Sequence, residues 1–101
     1  MRIKYIHIRN RNDNNTIASK GGTTVAYGVD GGNVVFAFSR CGPLDAYSKK
    51  QGRVKATGRL KSKSQSGLFE LDEKLPVVDQ VISEVQRQIE TTSHNLHGML
   101  P

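Results

Sequence analysis

The sequence contains no Trp, a single Cys and only three Pro. One Cys, Cys41, excludes an internal disulfide and fits a reducing compartment. No window approaches the roughly 20 consecutive apolar residues of a membrane span. The N-terminus alternates as "RIKYIHIR" instead of presenting the apolar stretch of a signal peptide. We therefore expect a protein of the cytoplasm that is not inserted in a membrane.

The material for a hydrophobic core is also limited. The chain has 101 residues, of which 36% are apolar. This length allows one domain over residues 1–101, and a chain this short buries a modest fraction of its surface when it folds alone. Association of copies would bury more, so we expect a homo-oligomer, either a dimer or a larger assembly such as a hexamer.

Acidic residues are scarce in most of the chain, and the net charge is +6. Residues 1–24 carry five basic groups and one acid, and residues 40–63 carry eight basic groups and one acid. Residues 64–101 reverse the sign, with two basic groups and six acids. The basic part indicates an anionic partner, such as a nucleic acid, a nucleotide or a membrane surface. The alternative is a solvated basic face that binds nothing.

The first 42 residues are typical of an antiparallel sheet. "RIKYIHIRN" has β-branched and aromatic residues in loose alternation, and "TVAYGV" and "NVVFAF" flank the turn sequence "VDGGN". "CGPLD" interrupts the sheet. We predict an α+β fold with at least three N-terminal strands followed by two helices.

The first predicted helix, over residues 45–60, is the basic one. It contains "SKKQGRVKATGRL", residues 48–60. Ser48 and Gln51 match the S-x-x-Q form of a capping box, and Asp45 is suited to cap an earlier start. Its two glycines, Gly52 and Gly58, are poor helix formers, each costing about 1 kcal/mol relative to Ala. Close approach of another backbone or of a flat ligand would explain them.

The second predicted helix spans residues 75–92 and is acidic. "LFELDEK" before it is either a short strand or the approach to the helix. Apolar residues recur at spacings of three and four along one stripe, which packs on the sheet or on a partner helix. The stripe consists of Leu75, Val78, Ile82, Val85, Ile89 and Leu96.

Residues suited to catalysis or metal binding are few. Cys41 and His7 form a thiol–imidazole pair only if the fold brings them together. His94 and His97 are three apart, but no Cys or carboxylate cluster completes a metal site. Neither a phosphate-binding Walker loop nor a dinucleotide-binding glycine motif follows a strand. We expect no enzyme activity, no metal and no cofactor.

Anion binding is better supported by the residue types. Arg53 and Arg59 offer planar, multi-donor groups suited to phosphate oxygens, and neighbouring lysines add point charges. Arg9 and Asn10, which leave the first strand, add further donors. An aromatic ring among Tyr5, Tyr27, Phe36, Phe38 and Tyr47 could stack on a base, although Phe36 and Tyr27 are better explained as core residues.

The segment "FSRCGPLDAYSKKQGRVKATGRL", residues 38–60, resembles one that recurs in small phage proteins, C-x-P-x-D-x-(aromatic)-S-K-K-x-G-R followed by A-x-G-R-L. Together with "HIRN" and "GGTTVAYGV", it is similar to the Thoeris anti-defence family of phage sponge proteins. The resemblance covers about residues 5–60, and the C-terminal helix only in architecture.

This resemblance implies a sheet followed by two helices, assembled as a homo-oligomer in the host cytoplasm. It implies that the protein sequesters a cyclic ADP-ribose-type messenger of the host defence without cleaving it, with cyclic oligonucleotides held by some members at a separate site. By analogy, Arg53 or Arg59 and Arg9 would bind phosphate, and Phe38 or Tyr47 would stack on the base. The candidate ligand-binding residues are therefore Arg9, Asn10, Phe38, Arg40, Asp45, Tyr47, Lys49, Arg53 and Arg59.

Two other hypotheses remain open at this point. The basic helix could bind a nucleic acid along its phosphate backbone. The apolar seam of Leu75, Val78, Ile82 and Val85 could instead bind a host protein.

Overall fold

The chain forms four strands and two helices in the order β1, β2, β3, α1, β4, α2. The computed structural model describes the backbone of residues 2–99 and the side chains of residues 2–90. The elements are β1 (Lys4–Ile8), β2 (Lys20–Asp30), β3 (Asn33–Ala46), α1 (Lys49–Ser62), β4 (Ser66–Glu70) and α2 (Val77–Met99). The predicted α+β class, with an antiparallel sheet and two helices, is confirmed.

The four strands form one antiparallel sheet in the order β1-β2-β3-β4. β2 and β3 form the predicted hairpin, in which Asp30 pairs with Asn33 around Gly31 and Gly32. Both glycines have positive φ, 58° and 84°, as the turn of a tight hairpin requires. The sheet does not end at residue 42, because β3 continues to Ala46 and "SGLFE" forms β4 between the two helices.

The register of the strands gives the sheet two different faces. Large side chains share one face, since Val25 pairs with Phe38 and Tyr27 pairs with Phe36. Small side chains share the other face, where Thr24 pairs with Ser39 and Ala26 pairs with Ala37. All eight of these central residues are buried.

Helix α1 packs on the small face, and its glycine explains how closely it does so. A Cβ added to Gly52 would collide with Oγ1 of Thr24 and would lie 2.8 Å from Thr24 Cβ. One turn further on, Ala56 is fully buried. The small residues of α1 therefore meet the small residues of the sheet. Gly58 differs, because a Cβ there would meet nothing within 4 Å.

Hydrogen bonds fix both ends of α1. Ser48 is the N-cap, and its hydroxyl accepts a hydrogen bond from the backbone N–H of Gln51 at 3.2 Å. The predicted cap is thus confirmed at Ser48, whereas Asp45 lies in β3. At the other end, Arg59 Nη1 donates to the backbone oxygen of Phe38 at 3.0 Å, which ties the helix to β3.

The chain divides into two compact units, Met1–Glu70 and Leu71–Pro101, and the second contains α2. The loop before α2 is held by Gln80, whose side chain accepts from Asp72 N at 3.0 Å and donates to Asp72 O at 2.8 Å. The prediction of one domain over residues 1–101 stays a prediction. Among the described residues, no helix is long and apolar enough to cross a membrane.

The buried positions of α2 differ in part from the predicted stripe. Val81 and Val85 are fully buried, whereas Val78 is 40% exposed and Leu75, which precedes the helix, is 55% exposed. The fully buried positions are therefore Val81 and Val85, of which the predicted stripe contains only Val85. Val77 is half-buried, and so are Ile82 and Ile89 of the predicted stripe. The side chain of Leu96 lies outside the described residues.

Candidate anion-binding site

A distorted start of β2 places Tyr47 beside β1. Gly21 and Gly22 have positive φ, 73° and 128°, and the register of β2 with β3 shifts between Lys20 and Gly22. A Cβ at Gly22 would lie 2.9 Å from Tyr47 Cδ2 and 2.9 Å from the oxygen of Ile8. The ring of Tyr47 therefore needs both the backbone conformation and the missing side chain of Gly22. The backbone N–H of Tyr47 donates to Ser19 O at 3.0 Å.

The hydroxyl of Tyr47 joins a small hydrogen-bonded network on the small face of the sheet. It lies 2.8 Å from His7 Nδ1 and 2.8 Å from Thr24 Oγ1, and the last two atoms are 3.3 Å apart. His7 pairs with Thr24 across β1 and β2. The His7 and Tyr47 rings meet edge to face, with centroids 6.2 Å apart. Strands β1 and β2 and the segment between β3 and α1 are thus held together at this point.

Arg9, just beyond β1, stacks on the same tyrosine. Its guanidinium carbon lies 4.4 Å from the centroid of the Tyr47 ring, a cation–π contact. Its Nη2 donates to Ala18 O at 2.9 Å, and its buried Nε has no hydrogen-bond partner. Since Arg9 covers the Tyr47 ring and Gly22 lies against its edge, Tyr47 serves to position Arg9 and is not free to stack on a base.

Two cations of α1 complete a basic cluster, which we define as His7, Arg9, Lys49 and Arg53. Lys49 and Arg53 are exposed and lie four apart on the first turns of the helix. The pKa of His7 is lowered from its ordinary 6.5, first by partial burial and then by the charges of Lys49, Arg53 and Arg9, in that order. Lys49, Arg53 and Arg9 are thus the positive charges that act on this imidazole.

No carboxylate among the described residues forms an ion pair with this cluster. Among the side chains of residues 2–90, the ion pair with a nitrogen–oxygen distance within 4 Å joins Arg87 Nη2 and Glu84 Oε2 of α2, at 2.7 Å. The cations of the cluster repel one another without a nearby counter-charge, so an anion that reached them would relieve this repulsion.

A groove continues from the cluster along the exposed side of α1. It has a volume of about 480 Å³ and lies between Tyr5 of β1 and the helix. Its lining includes Tyr5, Lys50, Arg53, Val54, Gly58 and Lys61. Tyr5 Oη is 2.8 Å from Thr57 Oγ1. Arg53 belongs both to this groove and to the basic cluster, and the missing side chain of Gly58 keeps the groove open. We call it the Tyr5 groove.

Of the nine candidate ligand-binding residues, the structure brings four together: Arg9, Tyr47, Lys49 and Arg53. The others lie elsewhere or are engaged in the fold. Phe38 is 5% exposed on the large face of the sheet, so it is a core residue and not a base-stacking one. Arg59 is half-buried and bonded to Phe38 O, so its guanidinium holds the fold together.

The three remaining candidates are surface residues outside the cluster. Asn10 is exposed, with its side-chain amide where a Cβ of Gly21 would be. Arg40 is exposed on β3 and pairs with Thr23. Asp45 lies near the end of β3, and its carboxylate would be 2.6 Å from a Cβ on Gly42.

Sequence reasoning did not assign His7 and Thr24 to the site. Side chains two apart on a strand share a face, so "HIR" indicates that His7 and Arg9 point to the same side. Tyr5 lies on that face as well. The partner of His7 could not be found in this way, because it depends on the register of β1 with β2.

The possible thiol–imidazole pair does not form. Cys41 Sγ lies 3.5 Å from Asp45 O and 3.6 Å from Ala46 O, whereas His7 contacts Tyr47 and Thr24. No group of three or more His, Cys, Asp or Glu able to hold a metal ion occurs in the part of the chain that the structure describes. The side chains of His94 and His97 lie outside the described residues.

Comparisons add no relative: no protein-family model matches the sequence, and neither the curated proteins nor the solved structures include a significant match. The family named from the resemblance therefore stays a prediction. What the site can do follows from its own chemistry. Two guanidinium groups, one ammonium group and an imidazole beside an open groove favour a phosphate-bearing ligand.

Proposed function

We propose that the protein binds and sequesters a small cyclic nucleotide, of the cyclic ADP-ribose type, without cleaving it. The observation that carries this proposal is Arg53, which lies in the basic cluster and also lines the Tyr5 groove. Phosphates would bind Arg53, Lys49 and Arg9, and the base would lie in the groove against Tyr5. Tyr5 thus takes the stacking role that was predicted for Phe38 or Tyr47.

The size of the groove supports a small ligand. Pockets for cofactor-sized molecules range over about 300–1,000 Å³, and the Tyr5 groove has about 480 Å³. Arginine binds phosphate oxygens with two parallel hydrogen bonds, while lysine adds a point charge. The network around Tyr47 holds Arg9 in place before any ligand arrives, which lowers the entropic cost of binding.

The biological setting of the proposal comes from the resemblance. A phage protein that captures such a messenger in the host cytoplasm would block an antiphage defence that depends on it. Assembly into a homo-oligomer belongs to the same proposal, and the exposed Tyr5 groove would then be closed by a neighbouring copy.

The test is calorimetry with a panel of cyclic nucleotides, including cyclic ADP-ribose isomers, with the mass of the oligomer measured in parallel. We expect saturable binding, and we expect the ligand that is recovered from the protein to be chemically unchanged. Arg53→Ala should weaken binding by about tenfold or more, because a hydrogen bond to a charged group contributes about 1.5–3 kcal/mol. Lys55→Ala is the matched control: it removes one positive charge from an exposed position of α1 outside the groove.

Nucleic-acid binding is the second candidate, favoured by the exposed cations Lys50, Arg53 and Lys61 along one helix. If the protein binds a duplex through several phosphates, its affinity should fall steeply as the salt concentration increases. The slope of log affinity against log salt concentration should be about −0.9 per phosphate neutralised. A single small ligand should respond far less. Tight binding of random duplex DNA, with no response to any cyclic nucleotide, would contradict the sponge proposal.

A further inference from the structure

The environment of His7 differs from that of an ordinary surface histidine. His7 lies on β1, and the side chains around it come from each neighbouring element. Arg9 follows β1, Thr24 is on β2, Tyr47 follows β3, and Lys49 and Arg53 are on α1. None of these groups is a carboxylate. An empty site therefore places three positive charges around a group that can itself become positive.

The hydrogen bonds of His7 accommodate either protonation state. A neutral ring with Nδ1 unprotonated accepts from the Tyr47 hydroxyl. A ring protonated at Nδ1 donates to the Tyr47 oxygen, and the Tyr47 hydroxyl turns to donate to Thr24 Oγ1, which is 2.8 Å away. Because both partners are rotatable hydroxyls, protonation reverses the direction of donation without moving a heavy atom.

We propose that His7 is a proton-accepting member of the anion site: it takes up a proton when phosphate groups bind Arg9, Lys49 and Arg53, so that anion affinity rises as the pH falls. This inference rests on the proposed function, because it requires an anion in the basic cluster. Its physical cause is the change in the local field. Burial and, after it, the charges of Lys49, Arg53 and Arg9 lower the pKa of His7. Bound phosphates would offset the charges, and an added negative charge favours the imidazolium.

The size of the effect follows from linkage. An opposite charge within about 4–6 Å shifts a pKa by about 1–3. A shift of one in the pKa of His7 corresponds to a tenfold higher anion affinity at low pH than at high pH. We therefore expect affinity to increase about tenfold or more between about pH 8 and about pH 5, at constant ionic strength.

The test uses trimetaphosphate, a cyclic phosphate that stays fully ionised over this range, so the ligand adds no titration of its own. Affinity is measured by calorimetry for the wild type, His7→Asn and His97→Asn. Asn keeps a polar group within reach of Tyr47 but cannot titrate. The wild type and His97→Asn should show the pH-dependent gain, and His7→Asn should show about none.

A second measurement does not depend on the folding of His7→Asn. The ring signals of His7 in wild-type NMR spectra, assigned by elimination with His94→Asn and His97→Asn, give its pKa with and without saturating trimetaphosphate. We expect an increase of about one or more. Binding with an unchanged His7 pKa, or with the same pH dependence in His7→Asn, overturns the inference and leaves anion binding intact. Absence of trimetaphosphate binding at every pH contradicts the proposed function itself.

Discussion

Replacing Gly52 with Ala tests how closely α1 lies on the sheet. In an exposed helix this change stabilises by about 1 kcal/mol, because Ala is the better helix former. Here the new Cβ would collide with Thr24 Oγ1 and lie 2.8 Å from Thr24 Cβ. Thr24 is buried, and its Cβ is fixed to the strand, so the helix must move away from the sheet.

The net effect is the difference between these two contributions. Overpacking of a closely packed interior costs about 1–3 kcal/mol, and contact with a backbone-anchored carbon argues for the upper end. Subtracting the propensity gain of about 1 kcal/mol leaves a loss of about 2 kcal/mol. For a chain of this size, that loss lowers Tm by about 10 °C.

Gly58→Ala is the matched control, since it makes the same chemical change in the same helix. Nothing lies within 4 Å of the added Cβ, so we expect a gain of about 1 kcal/mol. Urea and thermal unfolding of both variants measure the two effects. If Gly52→Ala stabilises as much as Gly58→Ala does, the close packing of α1 on Thr24 is refuted.

Three other predictions concern single contacts. Arg59→Gln should lower the free energy of unfolding by about 1 kcal/mol through loss of the bond to Phe38 O while leaving nucleotide affinity unchanged; a loss of affinity with the fold intact would return Arg59 to the ligand site. Val81→Ala should cost about 2 kcal/mol in urea unfolding and Val78→Ala clearly less, because the first is fully buried and the second 40% exposed; equal costs would contradict the buried face assigned to α2. Since the pKa of His7 is lowered in the folded state, the unfolded chain binds more protons below about 6.5; stability should therefore fall as pH decreases through that region, and His7→Asn should remove this part of the fall. A pH profile of unfolding that is identical in the wild type and His7→Asn would contradict the lowered pKa.

Much of the fold could be predicted because local signals agreed with it. The turn "VDGGN" between two β-rich segments defines the β2–β3 hairpin, and Ser48 with Gln51 marks the start of α1. β4 was ambiguous, because "SGLFE" is short and its strand conformation depends on pairing with β3. The face of α2 was predicted only in part: Val85 is buried as expected, but Val81 was left out and Val78 is exposed. The run of apolar residues over 77–82 is compatible with more than one stripe.

The site could be predicted only in part for a similar reason. Charge density pointed to α1, and Arg53 and Lys49 are indeed beside Arg9. The sequence spacing of the arginines could not show which of them bonds within the fold. Arg59 does so, and its partner is the backbone oxygen of Phe38, 21 residues earlier. The glycines of α1 have two separate explanations. Gly52 allows contact with Thr24, whereas Gly58 leaves space in the Tyr5 groove.

The most direct test of the central claim is to map where a bound nucleotide lies. Besides the Tyr5 groove of about 480 Å³, the Met1–Glu70 unit has an apolar groove of about 460 Å³ lined by Val35, Phe36, Leu60 and Leu68, among others. The wild type is titrated with a cyclic nucleotide that binds it, and chemical-shift changes are followed by NMR. The account predicts the largest chemical-shift changes at Tyr5, His7, Lys49 and Arg53. Shifts confined to the apolar groove, with the basic cluster unchanged, would contradict it.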